Sequence, residues 1–149
     1  MKKSYKGRFV PTNPKKYRGD PTNIIYRSRW EFDFMQYLDT HPDVIQWASE
    51  EIAIKYLSPK TRKFQNYYPD FLIEIKKKDG KTEKLLIEIK PFKETQPPDE
   101  KRKSHMQFLR ESVTYSINRS KWAAAREWCR KNKITFKIMT EKDLYGRTK

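Results

Sequence analysis

Apolar residues along this chain recur first at helical spacing, then at alternate positions, then at helical spacing again, and these changes of period divide it into elements. Trp30, Phe34, Tyr37 and Leu38 share one helical face and predict a helix from about Ser28 to Leu38, ending before His41-Pro42. Residues 44–57 alternate, most clearly at Ile52, Ile54 and Tyr56, and predict a strand that Ser58-Pro59-Lys60 turns back. Two more apolar runs flank Lys78-Asp79-Gly80-Lys81, and Asp-Gly between alternating segments predicts a hairpin. Pairing outward from the turn sets Leu72 opposite Ile87 and Asp70 opposite Ile89, to within a residue or two.

Pro97 and Pro98 keep residues 91–99 from being helical, and the helical pattern returns from about Asp99 through His105, Met106, Phe108 and Leu109. A second helix is expected from Asn118 to Lys131, where alanines 123 to 125 permit close packing. Ile134, Phe136 and Ile138 alternate as a last strand, and Thr140-Glu141-Lys142-Asp143 starts a short helix. Helix, three strands, two helices and a strand make a mixed α/β sandwich the economical arrangement. The chain's 149 residues fit one domain with a single core.

Residues 1–23 read as a basic arm preceding a domain of residues 24–149. Pro11, Pro14 and Pro21 exclude a long helix there, while Tyr5, Phe9 and Tyr17 interleave with lysines and arginines. Such a segment can lie along a phosphate backbone through Lys2, Lys3, Lys6, Arg8, Lys15, Lys16 and Arg18. Its aromatics equally suit an ordered wrap over a sheet edge.

Charge narrows the choice of partner. Thirty-four Lys and Arg against nineteen Asp and Glu give a net charge of +15, more than solubility requires of a small domain, and suggest a polyanion. The excess lies at the two ends: residues 1–21 and 101–149 are strongly basic, whereas residues 22–100 carry thirteen basic and fourteen acidic residues. A generic basic protein would have such a composition too. Cys129 is the only cysteine, so an intrachain disulfide is excluded, and its place between Trp128 and Arg130 suits burial better than nucleophilic chemistry. No apolar stretch approaches a membrane span and residues 1–6 lack a signal-peptide core. The expectation is a soluble protein of a reducing compartment, or of a particle assembled there, with no membrane partner.

The chemistry concentrates at one end of the predicted hairpin. Tyr68-Pro69-Asp70-Phe71 opens its first strand and Ile87-Glu88-Ile89-Lys90 closes its second, which gathers two carboxylates and a lysine. Asp70 and Glu88, with the Ile89 carbonyl, offer oxygen ligands to a hard cation such as Mg²⁺ or Mn²⁺, which neutralises a phosphodiester and activates water. Lys90 supplies a positive charge and a donor beside the attacking water or a phosphate oxygen. Glu74-Ile75-Lys76 repeats the Glu-x-Lys pattern but approaches the turn end, away from Asp70. Ser28-Arg29-Trp30-Glu31 fits a capping box, in which serine and glutamate satisfy free amides of the first helical turn. A glutamate at a helix start can also face the end of a neighbouring sheet, which makes Glu31 a fourth candidate. Lys121 and Asn118 suit a phosphate contact or a solvated helix face, and His105 a surface or packing role.

The succession Ser28-x-x-Glu31, Pro69-Asp70-Phe71 and Glu88-Ile89-Lys90 resembles the PD-(D/E)xK nuclease superfamily, in particular its branch similar to the N-terminal domain of the Tn7 transposase endonuclease. The whole chain, through Tyr26-Arg27-Ser28-Arg29-Trp30-Glu31 to Lys121-Trp122-Ala123-Ala124-Ala125, further resembles the nucleases of T4-like phages that act in head completion. The resemblance implies a restriction-endonuclease-like mixed sheet flanked by helices in a single domain, Mg²⁺-dependent DNA cleavage, and phage head or portal and neck proteins as partners in the virion or the host cytoplasm. It also implies Asp70 and Glu88 as metal ligands, Lys90 as the catalytic lysine and Glu31 as the helical glutamate that often completes the site. A non-catalytic basic DNA-binding protein of capsid completion is the competing reading, and an RNA-binding accessory protein a third.

Overall fold

The computed structural model describes residues 5–101 and 103–146. A short hairpin opens the fold: β1 (Gly7–Phe9) pairs antiparallel with β2 (Ile24–Tyr26). Between them the chain makes a 3-10 turn over Pro14–Lys16 and then bridges the sheet, with Tyr17 beside Trp47 and the Arg18 amide donating to the Trp47 carbonyl at 2.8 Å. Over its described residues, 5–23, the basic segment is therefore a wrap over a sheet edge and not a free arm. Phe9 and Tyr17 are buried in the core, so residues 5–23 pack with the domain expected to begin at 24. The buried Asp39 carboxylate anchors the wrap by accepting from the Thr12 and Asn13 amides at 2.7 and 2.9 Å. Lys2 and Lys3 lie outside the described residues.

Helix α1 (Arg29–Thr40) follows, with Ser28 at its N-cap, and buries Phe34, Met35 and Leu38. The alternating run 44–57 is two strands and not one. Strand β3 (Val44–Ser49) ends where Glu50 adopts a left-handed conformation at φ 52°, and β4 (Ile54–Leu57) joins a different sheet. There it pairs with β5 (Phe64–Tyr67), for which Phe64, Gln65 and Asn66 give no alternating signal because all three are exposed. The hairpin of β6 (Phe71–Lys76) and β7 (Thr82–Ile89) forms as expected, one residue off the counted register: Phe71, not Leu72, faces Ile87. Gly80, at φ 86°, takes the conformation that the turn asks of it.

A second 3-10 turn (Phe92–Thr95) precedes α2 (His105–Asn132). The sequence pattern predicts two helices here, and one continuous helix of 28 residues is present, about 42 Å long at the rise of an α-helix. Residues 110–118 are middling helix formers but contain no Gly or Pro, so nothing stops the helix between them. It starts at Ser104, later than Asp99, because Ser104 accepts from the Gln107 amide as N-cap. Strand β8 (Thr135–Met139) then runs parallel to β7, and α3 (Glu141–Leu144) opens with a capping box between Thr140 and Asp143.

The central sheet is mixed, in the order β3-β6-β7-β8. Alternation along β6 and β7 separates two cores. Phe71, Ile73 and Ile87 meet α1 and the N-terminal wrap around Trp47 and Met35, while Leu72 and Leu86 meet Trp122, Ala125 and Cys129 of α2 together with Ile54, Tyr56 and Tyr67. Burial lifts the Cys129 thiol to about 11, consistent with a packing role. Among the described residues, no helix is long and apolar enough to cross a membrane. The α/β single-domain class expected from the sequence is the class observed.

Candidate metal centre and catalytic site

Asp70 sits between the two small structural decisions that aim it. Tyr67 ends β5 in one sheet and Phe71 starts β6 in the other, so Tyr68-Pro69-Asp70 is the crossing point, and Pro69 is fully buried there. The Asp70 carboxylate accepts from the Ile89 amide at 2.7 Å, which fixes it against the end of β7. Glu88 projects from β7 on the face of Leu86, toward α2, and is buried. Its Oε1 accepts from the Tyr67 hydroxyl at 2.7 Å, and its Oε2 lies 3.9 Å from Lys90 Nζ. Lys90 is half-buried, and its amide donates to the Met139 carbonyl, which ties the strand end to β8.

Glu31 reaches the same place from the other side of the sheet end. Ser28 Oγ accepts from the Glu31 amide at 3.1 Å, while Glu31 Oε1 accepts from the Arg27 amide at 3.0 Å. The expected capping box is thus present in its serine half, whereas the glutamate reaches one residue further back than the box requires. Carboxylate oxygens of Glu31, Glu50 and Asp70 all lie within 4.8 Å of one another. Ser28→Ala should cost about 1 kcal/mol of stability, the usual size of a lost N-cap, read as a lower midpoint in urea with an unchanged slope.

Burial and crowding oppose the ionisation of these acids. Burial first, then Glu88, and then Glu31 and Glu50, push the Asp70 carboxyl well above the usual carboxylate range, although the Ile89 amide works the other way. Burial also raises Glu88 and Glu31; for Glu88 the Tyr67 hydroxyl, Lys90 and Lys121 partly offset it. A set of oxygen donors held close while resisting one another's charge suits a hard divalent cation, which relieves that repulsion. The residues present fit such a group.

Glu50 and Tyr67 are the members that sequence reasoning missed. Glu50 joins the cluster because its left-handed backbone turns the chain out of β3 beside Asp70, where its amide donates to the Asp70 carbonyl at 3.0 Å; it also pairs with Arg27 at 2.6 Å. Nothing in the local sequence announces a non-glycine residue in that conformation. Tyr67 depends on the pairing of β4 with β5, equally silent in the sequence. Glu74, the second Glu-x-Lys match, accepts from Gln46 Nε2 at 2.8 Å and faces Lys84, away from the cluster.

Lys121 is brought toward this centre by α2. Its Nζ stands 5.7 Å from the Tyr56 ring centroid and 5.5 Å from that of Tyr67, and burial followed by Lys90 lowers its pKa while Glu88 raises it. Among the basic residues of the N-terminal wrap, Lys6, Arg8, Lys15 and Arg18 are exposed. Lys16 is committed instead, donating from Nζ to the His41 carbonyl at 2.9 Å.

Comparison with known proteins gives two findings. The family described as TnsA-like endonuclease N terminal matches residues 41–141, a span that holds Asp70, Glu88, Lys90 and Lys121 and begins after Glu31. The chain is also similar to the head completion nuclease of Enterobacteria phage T4, with 42% identity over 147 residues that cover 95% of this chain and 94% of the relative.

Proposed function

From the fact that this chain belongs to the TnsA-like endonuclease N-terminal family, we propose that it is a metal-dependent DNA nuclease acting in phage head completion, with its centre at Glu31, Asp70, Glu88 and Lys90. One observation carries the reading: Asp70 and Glu88 stand at the open end of the β6–β7 pair, near enough for Glu88 to raise the Asp70 carboxyl, with Lys90 3.9 Å from Glu88 and carboxylate oxygens of Glu31 and Glu50 within 4.8 Å of Asp70. Asp70, Glu88 and the Ile89 carbonyl would hold Mg²⁺ or Mn²⁺, with Glu31 as a further ligand, and the cation when bound would neutralise phosphate charge and make a hydroxide nucleophile accessible.

The chain's own groups do the rest. Lys90 places a compact ammonium where charge builds on the phosphate oxygens and donates to them or to the incoming water. The Tyr67 hydroxyl holds Glu88 in one orientation and favours its charged form, partly offsetting the burial that raises it. Exposed Lys6, Arg8, Lys15 and Arg18, together with Lys121, supply backbone contacts that position DNA without reading its sequence. Proteins of the phage head, portal or neck are the partners this role implies. Assembly in the host cytoplasm and a place in the virion go with it.

Supercoiled plasmid provides the test. Purified protein should nick or degrade it when Mg²⁺ or Mn²⁺ is supplied and leave it intact in chelator. Binding without cleavage under both divalent ions, in preparations that are folded by circular dichroism, would support the non-catalytic DNA-binding reading instead.

A further inference from the structure

Two cavities that begin two residues beyond Lys90 take no part in the proposed centre. The 3-10 turn after Pro91 brings Phe92 against α3, where its amide donates to Glu141 at 2.8 Å and Lys142 Nζ lies 3.6 Å from its ring centroid. Phe92 and Tyr115 of α2 then form a wall common to both cavities. On one side is a space of about 580 Å³ whose lining includes Pro97, Pro98 and Asn118. On the other is a space of about 590 Å³ reached by Arg119, Arg126 and Lys142.

The two differ in charge. In the first, Lys93, Lys103 and Arg110 are balanced by Glu94, Asp99 and Glu111, and Lys103 is already paired with Glu111. In the second, three cations face one acid, Asp143. A neutral space with aromatic and proline walls thus adjoins a basic one. Asn118 is only 5% exposed and lines the neutral space. A carboxamide offers a donor and an acceptor side by side, the pattern that matches a base edge.

We propose that these cavities together accept one unpaired nucleotide, its base between Phe92, Tyr115 and Asn118 and its phosphate among Arg119, Arg126 and Lys142, so that DNA with a single-stranded end or branch is the preferred substrate. The inference rests on the nuclease reading and specifies its substrate class. A base within a duplex has both faces stacked and its pairing edge occupied, so only an extruded or unpaired base can enter a recess of this kind. Aromatic walls beside cations are also the usual means of holding single strands without sequence preference. Because Phe92 follows Lys90 by two residues, an unpaired nucleotide held there leaves its neighbouring phosphate within reach of the catalytic end of β7.

Binding by the Lys90→Ala protein separates recognition from cleavage. Three labelled DNAs serve as probes: a blunt duplex, the same duplex with a short thymidine extension, and that duplex with 2-aminopurine as its first unpaired base. The extended duplex should bind about tenfold or more tightly than the blunt one, the scale of a single stacked base, and the 2-aminopurine fluorescence should be quenched on binding. Adding Tyr115→Ala or Asn118→Ala should erase most of that preference and the quenching while blunt-duplex binding changes little. Phe92→Leu keeps the apolar volume and should lose the quenching even if the alanine variants fold poorly. Equal affinity for blunt and extended DNA, or a preference and quenching that survive Phe92→Leu, would overturn the inference. A wild-type protein that cleaves neither DNA in Mg²⁺ or Mn²⁺ would instead overturn the nuclease reading on which it rests.

Discussion

Lys90→Ala is expected to lower the rate of plasmid cleavage by about 10²–10³-fold, the loss found when one positioned donor to a developing negative charge is removed. Lys90 occupies a position suited to that role. It ends the strand that carries Glu88, its ammonium lies 3.9 Å from that carboxylate, and it is half-buried, so its charge is less screened than that of a surface lysine. The other basic residues near the centre are placed differently: Lys121 stands over the Tyr56 and Tyr67 rings, where it can meet the DNA backbone, and Arg27 is paired with Glu50. A role in charge stabilisation also predicts what should not change. Divalent ions should still raise the melting temperature of the variant, since removing a cation next to Glu88 takes nothing from the ligand set. Cleavage at the wild-type rate would remove Lys90 from the mechanism.

Asp70→Asn should give the converse pattern, with cleavage lost and metal-free stability gained. Burial and three neighbouring acids hold the Asp70 carboxyl well above its ordinary range, so in the metal-free protein the ionised form is disfavoured in the folded state relative to the unfolded chain. For an acid whose folded value is raised, the destabilising contribution is present at pH above that value. It fades as pH falls toward the unfolded value. Asparagine retains an oxygen for the Ile89 amide and removes the charge, so the variant should melt higher than wild type in chelator at neutral pH, with a flatter pH dependence. Wild type should gain about 2.7 kcal/mol from a cation at a hundred times its Kd, a rise of roughly 5–10 °C for a chain of this size. The variant should lose most of that rise. Thermal melts in chelator and in Mn²⁺, from pH 5 to 8, read both effects.

These expectations trace back to features that are unequally visible in the sequence. Asp70, Glu88 and Lys90 are legible because local chemistry sets their placement: the Asp79-Gly80 turn fixes a hairpin and alternation fixes the faces. The one-residue difference in register, Phe71 and not Leu72 against Ile87, leaves the site intact, because Asp70 reaches the β7 end through its side chain. Glu31 is legible through the Ser28 cap. What the sequence hides is tertiary. Three of the four β5 residues face solvent, so Tyr67 arrives at Glu88 by a pairing that no hydrophobic period announces. Glu50 depends on a left-handed backbone at a residue other than glycine, held by its bonds to Asp70 and Arg27. The single long α2 likewise reflects the absence of a stop signal over residues 110–118, while its later half packs on the sheet through Trp122, Ala125 and Cys129.

The same contrast explains the basic N-terminal segment. Its prolines, aromatics and lysines fit either a flexible strand along DNA or a wrap, and composition cannot separate them. Asp39 decides it, since a carboxylate buried in α1 needs donors and the Thr12 and Asn13 amides supply them. The charge of the segment remains usable because Lys6, Arg8, Lys15 and Arg18 face outward from that anchored path. Rigid placement of those cations near one sheet edge favours a defined course for the DNA backbone over diffuse attraction.

The most direct measurement is the anomalous scattering of crystals equilibrated with Mn²⁺. A metal centre at Asp70 and Glu88 should give a peak between them, within roughly 2.0–2.6 Å of a carboxylate oxygen of each, the span of oxygen-ligand distances for hard divalent cations. The same peak should vanish in Asp70→Asn. Saturating Mn²⁺ that leaves this position empty, or that binds elsewhere while the protein still cleaves DNA, would contradict a centre there.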